Sequence, residues 1–186
     1  FTMVKLRSMI VRADKAGVDS TSAEDQRITR VGHTIRRYKL DELAQLWNVL
    51  VGEMSFVGPR PNVRWATELY SEEEKKLLTV RPGITDLASI VFADEGEILR
   101  GSTNPDQDYM RLIAPWKNRL ALFCVENASI KLDLQVIFLT VLTIVSRLKA
   151  LEHVEKLLVN AAAPTDLVRV ASRSQPLDTY LCLLTD

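Results

Sequence analysis

Apolar residues recur with a helical period in the first third of the chain. The spacing of Ile28, Val31 and Ile35 predicts a short helix that ends near Tyr38. A second amphipathic helix is predicted over residues 40–51 and ended by Gly52. The apolar face of this second helix is formed by Leu40, Leu43, Trp47, Leu50 and Val51, and its polar stripe is formed by Asp41, Gln45 and Asn48.

The rest of the pattern predicts two strands and several more helices. Residues 3–11 and 85–92 are rich in apolar and β-branched types, which favours strands. Helices are predicted over residues 71–78, which begin with a Ser-Glu-Glu-Glu capping box, and over 106–113, 115–126 and 130–150. Residues 151–186 predict a helical tail interrupted at Pro164 and Pro176. The predicted fold class is therefore α+β, a mainly helical single domain with a small β-sheet.

Two proline-containing turns interrupt this pattern. In Gly58-Pro59-Arg60-Pro61 the prolines fix φ on both sides of Arg60 and push the residue before each of them to extended geometry. Ordering Arg60 on so stiff a turn costs little entropy. Arg81-Pro82-Gly83 predicts a second turn of the same kind.

Composition and charge exclude some classes of function. The chain of 186 residues has 24 basic and 24 acidic side chains and no net charge, whereas a nucleic-acid-binding domain is usually basic. Cys124 and Cys182 are far apart and have neither metal-ligand nor disulfide-framework spacing. They indicate a reducing, cytoplasmic environment.

The longest apolar run, residues 136–145, is interrupted only by Thr140 and Thr143. It is too short for a transmembrane helix, which needs about 20 residues. Charged residues flank the run at Lys131, Asp133 and Arg147. The sequence leaves two interpretations open, a buried core helix and a helix that lies at a membrane interface.

The adjacent carboxylates Asp41 and Glu42 are the strongest candidates for chemistry. Acidic residues in a first helical turn also interact favourably with the helix dipole, so a purely structural role is the alternative. An ionised carboxylate there suits a nucleophile or a Mg²⁺ ligand. To approach an anionic phosphate it needs cations, and the candidates are Arg36, Arg60, Arg81, Lys5 and Arg7. Asp94, Glu95 and Glu97 have two interpretations, carboxylates that line a site and a solvated loop, and the loop is favoured.

Several ordered motifs resemble the bacterial sugar transferases, or monotopic phosphoglycosyl transferases. The matching segments are Lys5-Leu6-Arg7-Ser8-Met9, Ile28-Thr29-Arg30-Val31-Gly32, Arg36, Leu40-Asp41-Glu42-Leu43, Gln45-Leu46, Asn48-Val49-Leu50, Gly52-Glu53-Met54-Ser55, Val57-Gly58-Pro59-Arg60-Pro61 and Arg81-Pro82-Gly83-Ile84-Thr85. The resemblance covers roughly residues 1–149, and the combination of motifs in order is far more specific than any one motif.

The resemblance implies a two-step reaction on a UDP-sugar. The aspartate matching Asp41 attacks the β-phosphate and releases UMP, and the covalent phosphosugar is then transferred to undecaprenyl phosphate. Mg²⁺ is expected at Asp41 and Glu42. Phosphate or substrate binding is expected at Arg36, Arg60, Pro59, Pro61, Arg81, Lys5 and Arg7. The implied location is the membrane surface on the cytoplasmic face of the bacterial inner membrane, with a homo-oligomer as one possible assembly.

The chain departs from the family pattern in four places. Lys39, Ala44 and Asp86 stand where the family usually has Ser, Pro and Gly, and Asp86 leaves the backbone of its turn and the substrate preference open. The N-terminal re-entrant membrane anchor is expected to be absent. We therefore expect a catalytic domain over residues 1–150 and a helical C-terminal tail of unknown role over residues 151–186.

Two other functions remain as alternatives. The expected absence of the anchor, together with Asp86, is compatible with a non-catalytic, membrane-associated scaffold that keeps the fold. The same carboxylates are also compatible with a soluble Mg²⁺-dependent phosphohydrolase. The release of UMP separates the scaffold from the transferase, and dependence on polyprenol phosphate separates the hydrolase.

Overall fold

The computed structural model describes residues 1–13, 20–22 and 24–177, and it is dominated by helices. The helices are α1 (Arg30–Arg37), α2 (Leu40–Leu43), α3 (Leu46–Leu50), α4 (Arg64–Glu68), α5 (Leu87–Val91), α6 (Glu95–Ile98), α7 (Pro105–Asp108), α8 (Ala114–Glu126), α9 (Ile130–Val145), α10 (Arg147–Asn160) and α11 (Thr165–Ser172), with a 3₁₀ helix over Glu74–Thr79 and a π-helical turn over Tyr109–Ile113. Two short strands, β1 (Ser55–Val57) and β2 (Gly83–Thr85), complete the fold. The predicted α+β class is confirmed.

The two strands form a parallel pair that brings the two proline-containing turns together. Gly58 and Gly83 pack backbone against backbone, because a Cβ atom on Gly83 would lie 2.2 Å from the Gly58 nitrogen. A Cβ atom on Gly58 would lie 2.7 Å from the carbonyl oxygen of Arg81. The Gly83 N–H also donates to the Pro59 carbonyl at 3.0 Å. Glycine at both positions is therefore a requirement of close approach.

The hydrophobic core lies among α5, α8, α9, α10 and α11. Trp116 and Leu120 of α8 are fully buried there with Val136 of α9. Val154 and Leu158 of α10 are buried in the same core, so the helix that crosses residue 150 packs with the elements before it. The division into a domain over 1–150 and a tail over 151–186 stays a prediction.

The predicted strand over residues 3–11 is wrong. The described part of this segment contains only an isolated antiparallel bridge between Met9 and Ile28. Its backbone groups find unrelated partners, since Val4 N–H donates to the Asn48 side chain at 2.9 Å and Leu6 N–H reaches the Asp41 carbonyl at 3.4 Å. These contacts tie the N-terminal segment to α2 and α3 without a neighbouring strand.

The predicted strand over residues 85–92 is also wrong beyond Thr85, where β2 ends and α5 follows. Asp86 is the N-cap of α5, and its carboxylate accepts from the Ser89 N–H at 2.7 Å. The Ser89 hydroxyl in turn is 2.9 Å from the Asp86 N–H. This reciprocal capping box starts a helix in a sequence whose apolar composition alone resembles a strand.

The predicted helix over residues 40–51 is divided into α2 and α3, and its polar side is the buried one. Gln45 and Asn48 are each 1% exposed, whereas Trp47 is 60% and Leu50 is 76% exposed. Asn48 explains the inversion, because its amide donates to the Thr2 carbonyl and to Glu53 and accepts from the Val4 N–H.

The predicted helix over residues 130–150 ends early, at Val145. Ser146 has an extended conformation and separates α9 from α10. Leu132, Val136 and Leu139 of α9 are buried in the core, so the buried-helix interpretation holds for one face. The other face is apolar and exposed, with Phe138 at 61%. Among the described residues, no helix is long and apolar enough to cross a bilayer.

The remaining helix predictions are confirmed with small shifts in their ends. Helix α1 matches the prediction near Tyr38, and α8 matches residues 115–126. The capping box is present, with the Ser71 N–H donating to Glu74 Oε2 at 2.8 Å, although the helix it begins is a 3₁₀ helix. The tail is helical and interrupted at Pro164 as predicted, and residues 178–186 lie outside the described residues.

The close approach of the two turns predicts that Gly83→Ala is strongly destabilising. The added methyl group overlaps the Gly58 backbone, so the strands must separate, at a cost of about 3 kcal/mol or more in the free energy of unfolding. Gly101→Ala is the control, since Gly101 has positive φ but open space around it, and it should cost only about 1 kcal/mol. Urea denaturation measures both, and equal losses would contradict the steric argument.

Candidate active site

A polar cavity of about 460 Å³ contains both predicted carboxylates. Its charged lining consists of Asp41, Glu42, Glu95, Glu97, Lys5, Arg36, Lys39, Arg60 and Lys117. The volume is within the range of small-molecule sites. The structure therefore brings Lys5, Arg36 and Arg60 to the two carboxylates, as the sequence predicted. The catalytic and binding roles of these residues stay predictions.

Arg60 is held by one side chain and one backbone carbonyl. Its Nη1 lies 2.9 Å from Glu42 Oε1 and donates to the Ile84 carbonyl at 2.7 Å. Both contacts use Nη1, and a guanidinium carries five N–H donors. Arg60 is thus fixed beside Glu42 by the β1–β2 pair while it retains donors of the kind that bind phosphate bidentately.

Arg36 reaches the cavity from the last turn of α1. Its Nε donates to the Ser8 hydroxyl at 3.0 Å. Ser8 packs directly on α1, because a Cβ atom on Gly32 would lie 1.9 Å from the Ser8 carbonyl oxygen. Burial lowers the pKa of Arg36, and the nearby Asp41 carboxylate opposes that change. The contact explains why glycine is found at position 32 of the motif.

Lys39, which is half-buried, and Lys5 add two ammonium groups to the lining of the cavity. Lys39 has a left-handed backbone with φ of 53°, which is uncommon for a residue other than glycine, and it precedes α2 directly. Burial lowers the pKa of Lys39. Burial, and then the neighbouring Arg60, lower the pKa of Lys5. Both groups lose their charge at a lower pH than an exposed lysine.

Lys117 of α8 is the cation that sequence reasoning missed. Its Nζ lies 2.8 Å from Glu95 Oε2 and 5.3 Å from the centre of the Tyr109 ring. Burial opposes its charge, but Glu95 and Tyr109 together outweigh that effect and raise the pKa of Lys117. Lys117 belongs to no motif, and its partner is 22 residues away in the chain. No local signal in the sequence points to it.

Asp41 has the least encumbered carboxylate of the cavity. In the part of the chain that the structure describes, it takes part in no ion pair or side-chain hydrogen bond. The same residues contain no cluster of three or more His, Cys, Asp or Glu side chains arranged to hold a metal. Mg²⁺ is usually bound by one or two carboxylates together with substrate phosphates, so the pair of Asp41 and Glu42 fits that ion.

Two predicted phosphate ligands are not brought to this cavity. Arg7 is exposed and is not part of the lining, because residues 3–11 do not form the strand that would have put Lys5 and Arg7 on one face. Arg81 is exposed and lines a different cavity of about 210 Å³, together with Ser55 and Cys124. Pro59 and Pro61 also lie outside the lining of the Asp41 cavity, and both line the neighbouring cavity of about 450 Å³ that Arg60 borders.

Glu95 and Glu97 line the cavity, as the alternative interpretation of this segment had it, and they lie on α6 and not in a loop. The Glu97 side chain is nevertheless solvated, at 58% exposed. The segment that contains them is fixed through Asp94, which pairs with Arg147 at 2.8 Å and with Arg173 at 3.1 Å. Arg147 begins α10 and Arg173 follows α11. The two C-terminal helices thereby hold one wall of the cavity in place.

Asp86, which departs from the family pattern, has a structural role as the N-cap of α5. Its φ of −156° is extended backbone, so the position requires no glycine. The side chain is almost completely buried and accepts the Ser89 N–H. Burial raises the pKa of Asp86. The backbone of the turn is compatible with Asp, and the effect on substrate preference stays a prediction.

The fold and the cavity define an α+β protein that sets two carboxylates among five cations, an arrangement suited to phosphate chemistry. The sequence model of the family described as bacterial sugar transferase matches residues 1–147. The chain therefore belongs to the bacterial sugar transferase family.

Curated relatives have names that agree with this family. The chain is 38% identical over 125 residues to the UDP-glucose:undecaprenyl-phosphate glucose-1-phosphate transferase of Caulobacter vibrioides, with 63% of the chain and 47% of that protein covered. It is 34% identical over 128 residues to the UDP-N-acetylgalactosamine-undecaprenyl-phosphate N-acetylgalactosaminephosphotransferase of Aeromonas hydrophila, with 66% and 30% covered. It is 39% identical over 151 residues to the exopolysaccharide production protein PSS of Rhizobium leguminosarum bv. phaseoli, with 77% and 70% covered. The chain thus spans less than half the length of the first two proteins.

The raised pKa of Asp86 predicts a pH-dependent effect of Asp86→Asn. A folded-state pKa above the unfolded value contributes stability at low pH that is lost as the pH rises through the folded pKa. Asn keeps the N-cap without a charge, so the variant should be more stable than the wild type at pH 7. The gain should shrink as the pH falls to about 4. Thermal or urea unfolding over that pH range measures it.

Asp25→Asn is the matched control. The hydrogen bond from Arg27 lowers the pKa of Asp25, so this carboxylate contributes stability above its unfolded pKa that is lost as the pH falls. The variant should therefore be less stable than the wild type at pH 7. A destabilised Asp86→Asn at pH 7 would contradict the burial argument.

Proposed function

We propose that this protein transfers a sugar 1-phosphate from a UDP-sugar to undecaprenyl phosphate. The support from relatives is that several carry names of this reaction. The observation that carries the proposal is the cavity in which Arg60 pairs with Glu42 at 2.9 Å and whose lining includes the carboxylate of Asp41, which has no ion pair with any described residue. The proposed reaction is an early step in the synthesis of a surface polysaccharide or glycoconjugate.

In the first proposed step, a carboxylate oxygen of Asp41 forms a bond to the β-phosphorus of the UDP-sugar. The bond from that phosphorus to the bridging oxygen breaks, and its electron pair leaves with UMP. In the second step, a phosphate oxygen of undecaprenyl phosphate bonds to the same phosphorus. The Asp41–phosphorus bond then breaks, the carboxylate is restored, and a polyprenol diphosphate sugar is released.

The cations of the cavity make the approach of an anion to an anion possible. Two unit charges 4 Å apart repel by about 4 kcal/mol at an effective dielectric constant of 20. Arg36, Lys39 and Lys5 line the same cavity as Asp41 and offset this repulsion when the diphosphate arrives. When Mg²⁺ is bound, it supplies additional neutralisation of phosphate charge, and Asp41 and Glu42 are the residues that would hold it.

We also propose that the domain lies against the cytoplasmic face of the bacterial inner membrane, where its lipid acceptor is found. Helices α3 and α9 both contact β1. All three elements expose large apolar side chains, with Trp47, Phe56 and Phe138 between 51% and 61% exposed. An exposed apolar patch across several elements marks an interaction surface. Assembly into a homo-oligomer stays a prediction.

The covalent step predicts a mass increase on Asp41. When the full-length protein receives a UDP-sugar and Mg²⁺ without lipid acceptor, one equivalent of UMP should be released and one sugar phosphate retained on Asp41. Asp41→Asn should release UMP at least about a thousandfold more slowly, because it removes the nucleophile. Intact-protein and peptide mass spectrometry with a UMP assay, over a panel of UDP-sugars, measure both.

Asp133→Asn on α9 is the control, since Asp133 lies outside the Asp41 cavity and should keep full activity. A protein that releases no UMP with any UDP-sugar is a scaffold. Continued release of UMP without adduct or lipid acceptor would identify a hydrolase. Either result would end the transferase proposal.

The membrane proposal predicts that Phe138→Glu weakens binding to anionic phospholipid vesicles by about thirtyfold, because a buried phenylalanine side chain contributes about 2 kcal/mol. Val159→Glu on α10 is the control, since Val159 is similarly exposed at 58% but lies on a different helix. Vesicle co-sedimentation measures both. Equal losses, or none, would mean that α9 does not contact the bilayer.

A further inference from the structure

A second cavity, of about 450 Å³, adjoins the Asp41 cavity. Arg60 and Lys117 line both cavities, so the two spaces meet at these cations. The rest of its lining is mixed: it contains apolar side chains such as Leu77 and Val80, and its polar and aromatic side chains include Asn62, Tyr70, Tyr109 and Asn118. None of these four lines the cavity that contains Asp41. The second space thus has a different chemistry, with rings and amides on one side of a cationic junction.

The four side chains combine the two features that recognise a nucleobase. Tyr70 and Tyr109 supply aromatic rings, and base stacking on such rings stabilises binding. Asn62 Nδ2 lies 3.4 Å from the Tyr70 hydroxyl, which orients this pair. Asn118 Nδ2 donates to Glu74 Oε1 at 2.7 Å, which leaves its carbonyl oxygen as an acceptor for a ring N–H.

We propose that the second cavity binds the nucleoside of the donor, with the diphosphate at Arg60 and Lys117 and the sugar phosphate at Asp41. This inference rests on the proposed function, because that function supplies a nucleoside diphosphate sugar. It adds four residues, Asn62, Tyr70, Tyr109 and Asn118, that nothing in the motifs indicates. In this arrangement the nucleoside and the attacking carboxylate lie on opposite sides of the cationic junction.

The lining favours a nucleoside over the lipid acceptor. A polyprenyl chain has no hydrogen-bonding groups, so it would offer no partner to the Asn118 carbonyl oxygen and no flat ring to stack on Tyr70 and Tyr109. Uracil offers one N–H donor and two carbonyl acceptors, which match amide side chains. The exposed apolar residues Trp47 and Phe138, in contrast, are not part of the second cavity.

The test compares two ligands that share a phosphorylated ribose and differ in the base, UMP and ribose 5-phosphate. Isothermal titration calorimetry on the full-length protein should show that the wild type binds UMP at least about tenfold more tightly. Tyr70→Leu and Asn118→Ala should each reduce this ratio severalfold and leave the affinity for ribose 5-phosphate unchanged. Tyr38→Leu is the control, because Tyr38 is an exposed tyrosine outside both cavities.

The ratio of the two affinities separates base recognition from misfolding, because a misfolded variant binds neither ligand. Two variants at different positions are used so that the test still holds if one of them misfolds. A ratio that stays at the wild-type value in both variants would place the base elsewhere and overturn the inference while leaving the transferase proposal intact. A higher KM for undecaprenyl phosphate with an unchanged ratio would assign the cavity to the acceptor and also overturn it. A wild type that binds neither ligand and releases no UMP would end both proposals.

Discussion

The ion pair between Arg60 and Glu42 is the interaction on which the site depends. It joins α2, which contains both carboxylates, to the β1–β2 pair, which holds Arg60 through the Ile84 carbonyl. The two side chains are 26% and 15% exposed, so the pair is largely shielded from water. Removing either partner would leave a poorly solvated charge behind, which costs more than the pair itself contributes. The ion pair also depends on the close approach of Gly58 and Gly83, because this contact fixes the position of the turn that contains Arg60.

In the described part of the chain, three of the four carboxylates that line the cavity take part in ion pairs, including Glu97 with Arg100. The lining contains five cations and four carboxylates. Glu42 is paired with Arg60 and Glu95 with Lys117, whereas Asp41 has no partner among the described residues. In the proposed reaction, the remaining cations would therefore bind an incoming anion without an ion pair to Asp41. A cleft of this kind also concentrates anions, and that attraction weakens as the ionic strength rises.

The sequence predicted features that local physics determines, and it missed those that depend on distant contacts. The proline-containing turns and the α8 helix follow from φ restriction and periodicity, and both are present. The periodicity of residues 40–51 could not predict that the polar face of this segment is buried. That burial depends on Asn48, which binds backbone groups of an N-terminal segment 44 to 46 residues away. The sequence could not predict Lys117 as a residue of the cavity for the same reason, since only the tertiary fold brings it to Glu95.

The C-terminal helices show how far the cavity depends on packing outside the motifs. The family match ends at residue 147, yet Arg173 lies beyond it and pairs with Asp94 at 3.1 Å. Arg147 joins the same carboxylate and also donates to the Val91 carbonyl at 3.2 Å. Asp94 precedes Glu95 directly, so the position of the wall that holds Lys117 is tied to α10 and α11. Because these helices share the hydrophobic core with α5, α8 and α9, a change in their packing would alter the cavity without touching any residue that lines it.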